Sequence, residues 1–326
     1  MHVYLIGHGK LTTKLECDQS FSRRHHLYRT RVPIKRFANE TSAYISISLK
    51  TMKSIIWLSL FTAAFSITNP HLPQHTTMSS ENDTLSEGQY HRGGADDLRS
   101  PCPILNSLAN HGYIARDGRN ITGSHLKAAL EHIGLGFDTA GGLVKIAFQD
   151  HVDPPEGSPR TTANFGLRDA GQVNEDGEPV LNLDQLGRPH AIEHDVSVTR
   201  QDRALGDYIH LNPDLYQQLL ASSGNGTSFS ISDIGKLRKK RFEQSKRDNP
   251  ELDLDKRMHY IACAEVGGIM GVFGKGLYHV PKEYIQAIFG EERLPFDEGW
   301  RPRWTKLYLP EAGAVTLAIS HYAWPF

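Results

Sequence analysis

Apolar residues return every three or four positions over residues 124–133, 258–273 and 282–289, the spacing of one buried helix face. A shorter helix is predicted from Pro103, whose missing N–H would be unpaired there anyway, with Cys102 as N-cap and Gly112 as its stop. Ile104, Leu105 and Leu108 form its apolar face, and it has about two turns at the usual pitch. Strand-like alternation is scarce and confined to a hairpin around 180–183. Long Gly-, Pro- and Asp-rich connections separate the helices, notably over 151–187; such loops shape a site or carry an insertion. No internal repeat occurs. Residues 99–326 therefore read as one mainly α domain, long enough to bury a substantial core.

The first third of the chain differs. Residues 1–51 carry Arg23, Arg24, Arg29, Arg31, Lys35 and Arg36 with few acids and no clear period, as organelle transit peptides do. The adjoining segment argues otherwise. Met52-Lys53-Ser54 is a second charged start, 55–65 a short apolar run, and Ala64-Phe65-Ser66 a small-residue exit, the layout of a secretory signal. The run is too short to span a bilayer comfortably, so no stable membrane insertion is expected, an uncleaved anchor being the rival. The expectation is a gene-model extension over 1–51, a signal peptide over 52–66, a polar flexible arm over 67–98 and a secreted domain over 99–326.

Composition narrows the class. The 326 residues are 39% apolar with a formal net charge of −1, a globular balance that gives no case for nucleic acid as a partner. Lys236, Arg238, Lys239, Lys240, Arg241, Lys246 and Arg247 form a basic run, read in a secreted protein as a solvated helix face. Sequons at Asn82, Asn120 and Asn225 accord with glycosylation. Of three cysteines, Cys17 would lie outside the mature protein, leaving Cys102 and Cys263 to pair as a disulfide or stay free.

Three segments carry candidate chemistry. A thiol at Cys102, at the positive end of a helix, is expected to have its pKa lowered; an inert buried cysteine is the alternative. In a helical turn Glu193 and Ser197 would share a face, and with a backbone carbonyl between them they suit a hard cation such as Mg²⁺. His194 would point elsewhere, its tautomer fixed by Asp195, and an ordinary polar turn is the alternative. Glu265 lies in the most apolar stretch, 258–273, where a charged carboxylate needs a partner, a raised pKa or a task. Gly267, Gly268 and Gly271 would weaken a helix and so suggest a close approach of something large. There is no His-Glu-x-x-His and no paired-cysteine spacing, which argues against a zinc hydrolase.

Pro101-Cys102-Pro103 running into Leu105-Asn106-Ser107-Leu108-Ala109-Asn110-His111-Gly112 resembles the axial-ligand segment of the haem-thiolate peroxidases, the chloroperoxidase-like enzymes and unspecific peroxygenases. Glu193-His194-Asp195-Val196-Ser197 resembles the motif of their shorter, chloroperoxidase-like branch, and Glu265 comes about seventy residues later, where that family has its distal acid–base glutamate. Val272-Phe273-Gly274, Glu292-Arg293-Leu294-Pro295 and Glu298-Gly299-Trp300-Arg301 continue the likeness, while Ile114-Ala115-Arg116 departs from the usual Pro-Arg exit.

The resemblance implies a single all-helical haem-peroxidase domain of the chloroperoxidase type with long loops. It implies haem b on Cys102, with Glu193, the His194 carbonyl and Ser197 holding Mg²⁺ or Mn²⁺ at a haem propionate. Glu265 would be the acid–base, oriented by His194 and Asp195, acting on hydrogen peroxide and a small organic substrate. The alternatives are a haloperoxidase oxidising chloride or bromide, and a non-catalytic glycoprotein with a Cys102–Cys263 disulfide.

Overall fold

The computed structural model describes residues 85–156 and 164–326. The expected extension, the signal peptide, most of the arm, Cys17 and the Asn82 sequon lie outside the described residues. The first helix, α1 (Pro103–Asn110), begins at the predicted proline. It ends in a Schellman turn: Gly112 sits at φ +72° and donates to the Ala109 carbonyl, while Tyr113 donates to Leu108 at 2.9 Å. Residues 85–98, inside the expected arm, carry no regular structure but are tied down. Gly88 and His91 donate to the His111 and Asn110 carbonyls at 2.8 Å, and Leu98 donates to Asp117.

After α1 come β1 (Ile121–Thr122), α2 (Gly123–His132), α3 (Phe137–Ala147) and β2 (Val180–Leu181). Next are α4 (Pro213–Ala221), β3 (Ser228–Phe229), α5 (Ile231–Asp248), α6 (Lys256–Phe273) and β4 (Val280–Pro281). The last are α7 (Lys282–Ile285), which widens into a π-helical stretch at Gln286–Glu291, and α8 (Leu309–Ala323). The fold is thus mainly helical, with two-residue strands as clasps. The predicted hairpin is corrected: Val180–Leu181 pairs antiparallel with the distant Ile121–Thr122, while Val173 and Pro179 make a single local bridge.

Side-chain caps start the central helices. Asn212 takes the Asp214 and Leu215 amides for α4, Ser230 and Asp233 form a capping box on α5, and Asp255 takes the Met258 amide for α6. Helix α8 packs along both α5 and α6, and glycines set the spacing. A Cβ at Gly271 would lie 2.6 Å from Leu307 Cδ2, and one at Gly235 2.9 Å from the Ile319 carbonyl. The core runs through Leu108, Ile114, Ile133, Leu219, Phe229, Phe273, Ile288 and Ile319. A second cluster joins Ala147, Leu167, Leu181 and Ala191. Buried Arg168 ties its segment down by donating to the Phe148 and Val180 carbonyls at 3.1 Å.

Candidate functional site

Cys102 is the N-cap of α1, as expected, but its thiol is pushed up to about 11, where a lowered pKa was expected. Burial is the reason. The Leu105 and Ile104 amides and the Arg200 charge pull the other way and lose, and Glu265 adds to the rise. Cys102 and Cys263 are both free thiols, so the disulfide alternative is overturned; Cys263 is buried beside His259, with Sγ 3.7 Å from Nε2.

A polar brace fixes the backbone that carries the sulfur. Asn106 Oδ1 accepts the Ser100 amide at 2.9 Å, and its Nδ2 donates to the Ser100 carbonyl and to Glu292 Oε1, both at 2.8 Å. The Cys102 amide in turn donates to the Ser100 hydroxyl at 3.2 Å. Glu292 sits at φ +50° just past the π-helical stretch and also accepts from the buried Arg200 at 3.3 Å. Nearby, His111 is locked in one tautomer: Nδ1–H donates to the Gly88 carbonyl at 2.8 Å, and Nε2 accepts the Leu294 amide at 3.1 Å.

Opposite stands α6. Its buried side carries Cys263, Val266, Gly267 and Met270, while 261, 264, 265 and 268 form a second face that is exposed or partly so. Glu265 lies on that open face with half its side chain accessible, so it avoids the buried-charge cost that its sequence context suggested. Its Oε2 is 3.1 Å from Nε2 of the buried His194. Of the three glycines, Gly267 and Gly271 face α8 and Leu307, where close helix packing needs them, and only Gly268 faces open space.

The loop with Glu193, His194, Asp195 and Ser197 is a series of bends, not the helical turn expected, so the shared i, i+4 face does not exist. Val196 interrupts it at φ +66°, a left-handed conformation that costs a β-branched residue about 1–3 kcal/mol. Asp195 acts through its main chain: its carbonyl accepts from His194 Nδ1 at 2.7 Å. Its carboxylate faces away and gathers the Arg203 and Asp253 amides and Asn249 Nδ2. Among the described residues no three His, Cys, Asp or Glu side chains converge as a metal site.

With Nδ1–H committed to a carbonyl, a neutral imidazole would turn a bare Nε2 toward the Glu265 carboxylate. The short contact therefore needs a proton held between the two groups. Burial lowers the His194 pKa, but the Glu265 charge and hydrogen bond, with the Glu193 charge, outweigh it, and the net shift is upward. Glu193 is pushed up to about 7, mainly by burial, with Glu265 adding and His194 opposing. Cys102 thus feels the charges of Glu265 and Arg200, and Glu193 those of His194, Glu265 and Arg200, which links the five groups in one electrostatic network. Asp195 is one step removed, and Arg200, Asn106 and Glu292 join a site in which sequence reasoning gave them no part. Arg200 and Glu292 lie within or beside quoted motifs, yet only tertiary structure reveals them as partners.

The donors suit a thiolate-ligated haem: a cysteine sulfur aimed by a capped helix, a half-exposed carboxylate in Coulombic contact with it, and an open face at Gly268. Residues 88–305, well over half of the chain, match the family described as "Peroxidase, family 2". A chloroperoxidase of Leptoxyphium fumago is 32% identical over 241 residues, 68% of this chain and 58% of that protein. An aromatic peroxygenase of Coprinellus radians is 31% identical over 241 residues, 69% of this chain and 88% of its own. A dothistromin biosynthesis peroxidase of Dothistroma septosporum is 30% identical over 176 residues, 51% of this chain and 39% of its own. The chain thus spans less than two thirds of the chloroperoxidase's length. With the family matched across both the Cys102 segment and the Glu265 helix, the chain belongs to peroxidase family 2, the haem-thiolate peroxidases.

Proposed function

We propose that this protein is a haem-thiolate peroxidase or peroxygenase that uses hydrogen peroxide to oxidise or oxygenate small organic molecules. The observation that carries the reading is the Glu265–His194 contact at 3.1 Å, in electrostatic reach of the N-capping Cys102. Cys102 would hold the haem, and its sulfur would do so as a thiolate, because a coordinated thiol is deprotonated. The thiolate-bound haem supplies electron density that favours O–O cleavage. Glu265 engages His194 through Oε2 and offers Oε1 to the peroxide proton. The pair keeps that proton and returns it as water leaves, a role worth roughly 10²–10⁴ in rate. Asp195 positions His194 through its carbonyl.

In this reading Glu193, the His194 carbonyl and Ser197 would hold Mg²⁺ or Mn²⁺; a cation there would relieve the cost of charging Glu193, whose pKa burial pushes up to about 7. Metal analysis of the haem-loaded protein tests that assignment. Secretion and glycosylation belong to the same proposal, supported by the exposed sequon residues Asn120 and Asn225. Halide oxidation is the second reading, favoured by the likeness to a chloroperoxidase. Consumption of chloride or bromide at acidic pH separates it from oxygen transfer to an organic substrate.

The deciding experiment is the visible spectrum of the protein, reduced and exposed to carbon monoxide. A strongly red-shifted Soret band, absent in Cys102→Ala, is expected. A colourless protein, produced with haem in supply, would overturn the proposal.

A further inference from the structure

We propose that Arg238, Arg241 and Asp202 form a clamp that imposes the Val196 turn and thereby sets His194 against Glu265; they are positioning residues. The inference deepens the function proposed above and rests on it. Every polar main-chain atom of Val196 is taken by a side chain. Asp202 Oδ1 accepts its amide at 3.0 Å, and Arg238 donates to its carbonyl at 3.4 Å. Arg241 closes the ring. Its Nε donates to the Ser197 carbonyl at 3.0 Å, and its second terminal nitrogen reaches Asp202 Oδ1 at 3.4 Å. Asn249 spans the Asp195 and Asp202 carboxylates at 3.0 and 3.2 Å.

Both arginines belong to the basic run on α5, which reads in the sequence as a solvated face. They point inward instead, 3% and 6% exposed, and the Asp202 side chain is fully buried. Solvated lysines at 236, 239, 240 and 246 keep the expected character. Arg238 Nε is buried without a hydrogen-bond partner among the described residues. Its guanidinium thus serves the Val196 carbonyl and reaches the Cys263 thiol while leaving Nε unpaired. From Val196 the path to the site is short. The Asp195 carbonyl precedes it and fixes His194 Nδ1, and His194 Nε2 meets Glu265. A positive φ at a valine persists only where its surroundings over-determine it, and these contacts do so.

The test uses the haem-loaded protein, with Arg241→Gln, the double variant Arg241→Gln/Val196→Gly and exposed Lys240→Gln as control. Hydrogen exchange at the Val196 amide reads the clamp, and peroxide turnover per haem reads its consequence. Arg241→Gln is expected to speed exchange about tenfold and to lower turnover about tenfold, since an ångström of misplacement costs up to roughly 10². The Soret band should stay, because Cys102 is braced by other residues. The double variant should regain turnover, because glycine adopts φ +66° freely. Unchanged exchange in Arg241→Gln, or faster exchange with wild-type turnover per haem, would overturn the clamp. Failure of the wild-type protein to take up haem would instead sink the proposed function, while the exchange data would still judge the clamp.

Discussion

Asn106→Leu keeps the side chain near its natural volume and removes every polar contact it makes. Those contacts are the Ser100 amide at 2.9 Å, the Ser100 hydroxyl at 3.0 Å, and the Ser100 carbonyl and Glu292 Oε1 at 2.8 Å. Asn106 and Ser100 are each 1% exposed, so water cannot replace what is lost. The Ser100 amide and carbonyl have no other hydrogen bond among the described residues, and each orphaned group costs about 1–3 kcal/mol. Glu292 keeps Arg200 and adds little. The extra apolar surface of leucine returns about 1 kcal/mol. The net expectation is a loss of about 3 kcal/mol, which for a domain of this size lowers Tm by about 6–12 °C.

Urea denaturation of the haem-free protein, followed by circular dichroism with an unchanged m-value, measures that loss. Haem retention should fall with it, because Ser100 also holds the Cys102 amide at 3.2 Å. Asn106→Asp should be no milder than leucine, since it sets a carboxylate against Glu292 Oε1. A loss below about 1 kcal/mol in Asn106→Leu would refute the brace, because even one orphaned buried amide should cost that much.

Glu265→Gln should cut peroxide turnover by roughly 10²–10⁴ with haem content unchanged, measured by stopped-flow; equal turnover would remove Glu265 from its role. Gly235→Ala should cost about 1–3 kcal/mol by forcing α5 from α8, where the Ile319 carbonyl would lie 2.9 Å from the new Cβ; denaturation midpoints decide. In the haem-free protein Glu193 binds its proton more tightly folded, near pH 7, than unfolded, near 4.5. Its favourable contribution is therefore full below about pH 4.5 and lost as pH rises through about 7. Glu193→Gln should flatten that decline in a pH series of urea midpoints, and an identical slope would contradict it.

The parts of the fold that were legible in the sequence are those marked by local chemistry. Pro103 and Gly112 bound α1 because a missing N–H and a positive φ are properties of single residues. The long apolar period gave α6. Helix α3 escaped because Phe137, Leu143 and Ile146 are exposed and blur its buried face. Helix α8 escaped because apolar residues encircle it, leaving no polar side for contrast, with Leu317 and Tyr322 exposed. Helix α4 was announced by Asn212-Pro213-Asp214, a capping signal that could have been read.

The site divides along the same line, between what a residue is and what surrounds it. Glu265, His194 and Cys102 are recognisable as types in motifs, and the structure pairs Glu265 with His194 and sets its charge within reach of Cys102. Their states were not readable. The helix terminus that should lower the Cys102 pKa is present, yet burial exceeds it, because desolvation depends on the whole domain and the dipole on one turn. Likewise, residue types alone suggest helical spacing for Glu193–Ser197. Tertiary contacts from Asp202, Arg238 and Arg241 then bent Val196 into a conformation that its own side chain disfavours. An Arg inside a basic run looks solvated until the carbonyl it serves, some forty residues away, is in place. The chemistry of this site is therefore local in the sequence, and its control comes from residues whose types give no hint of it.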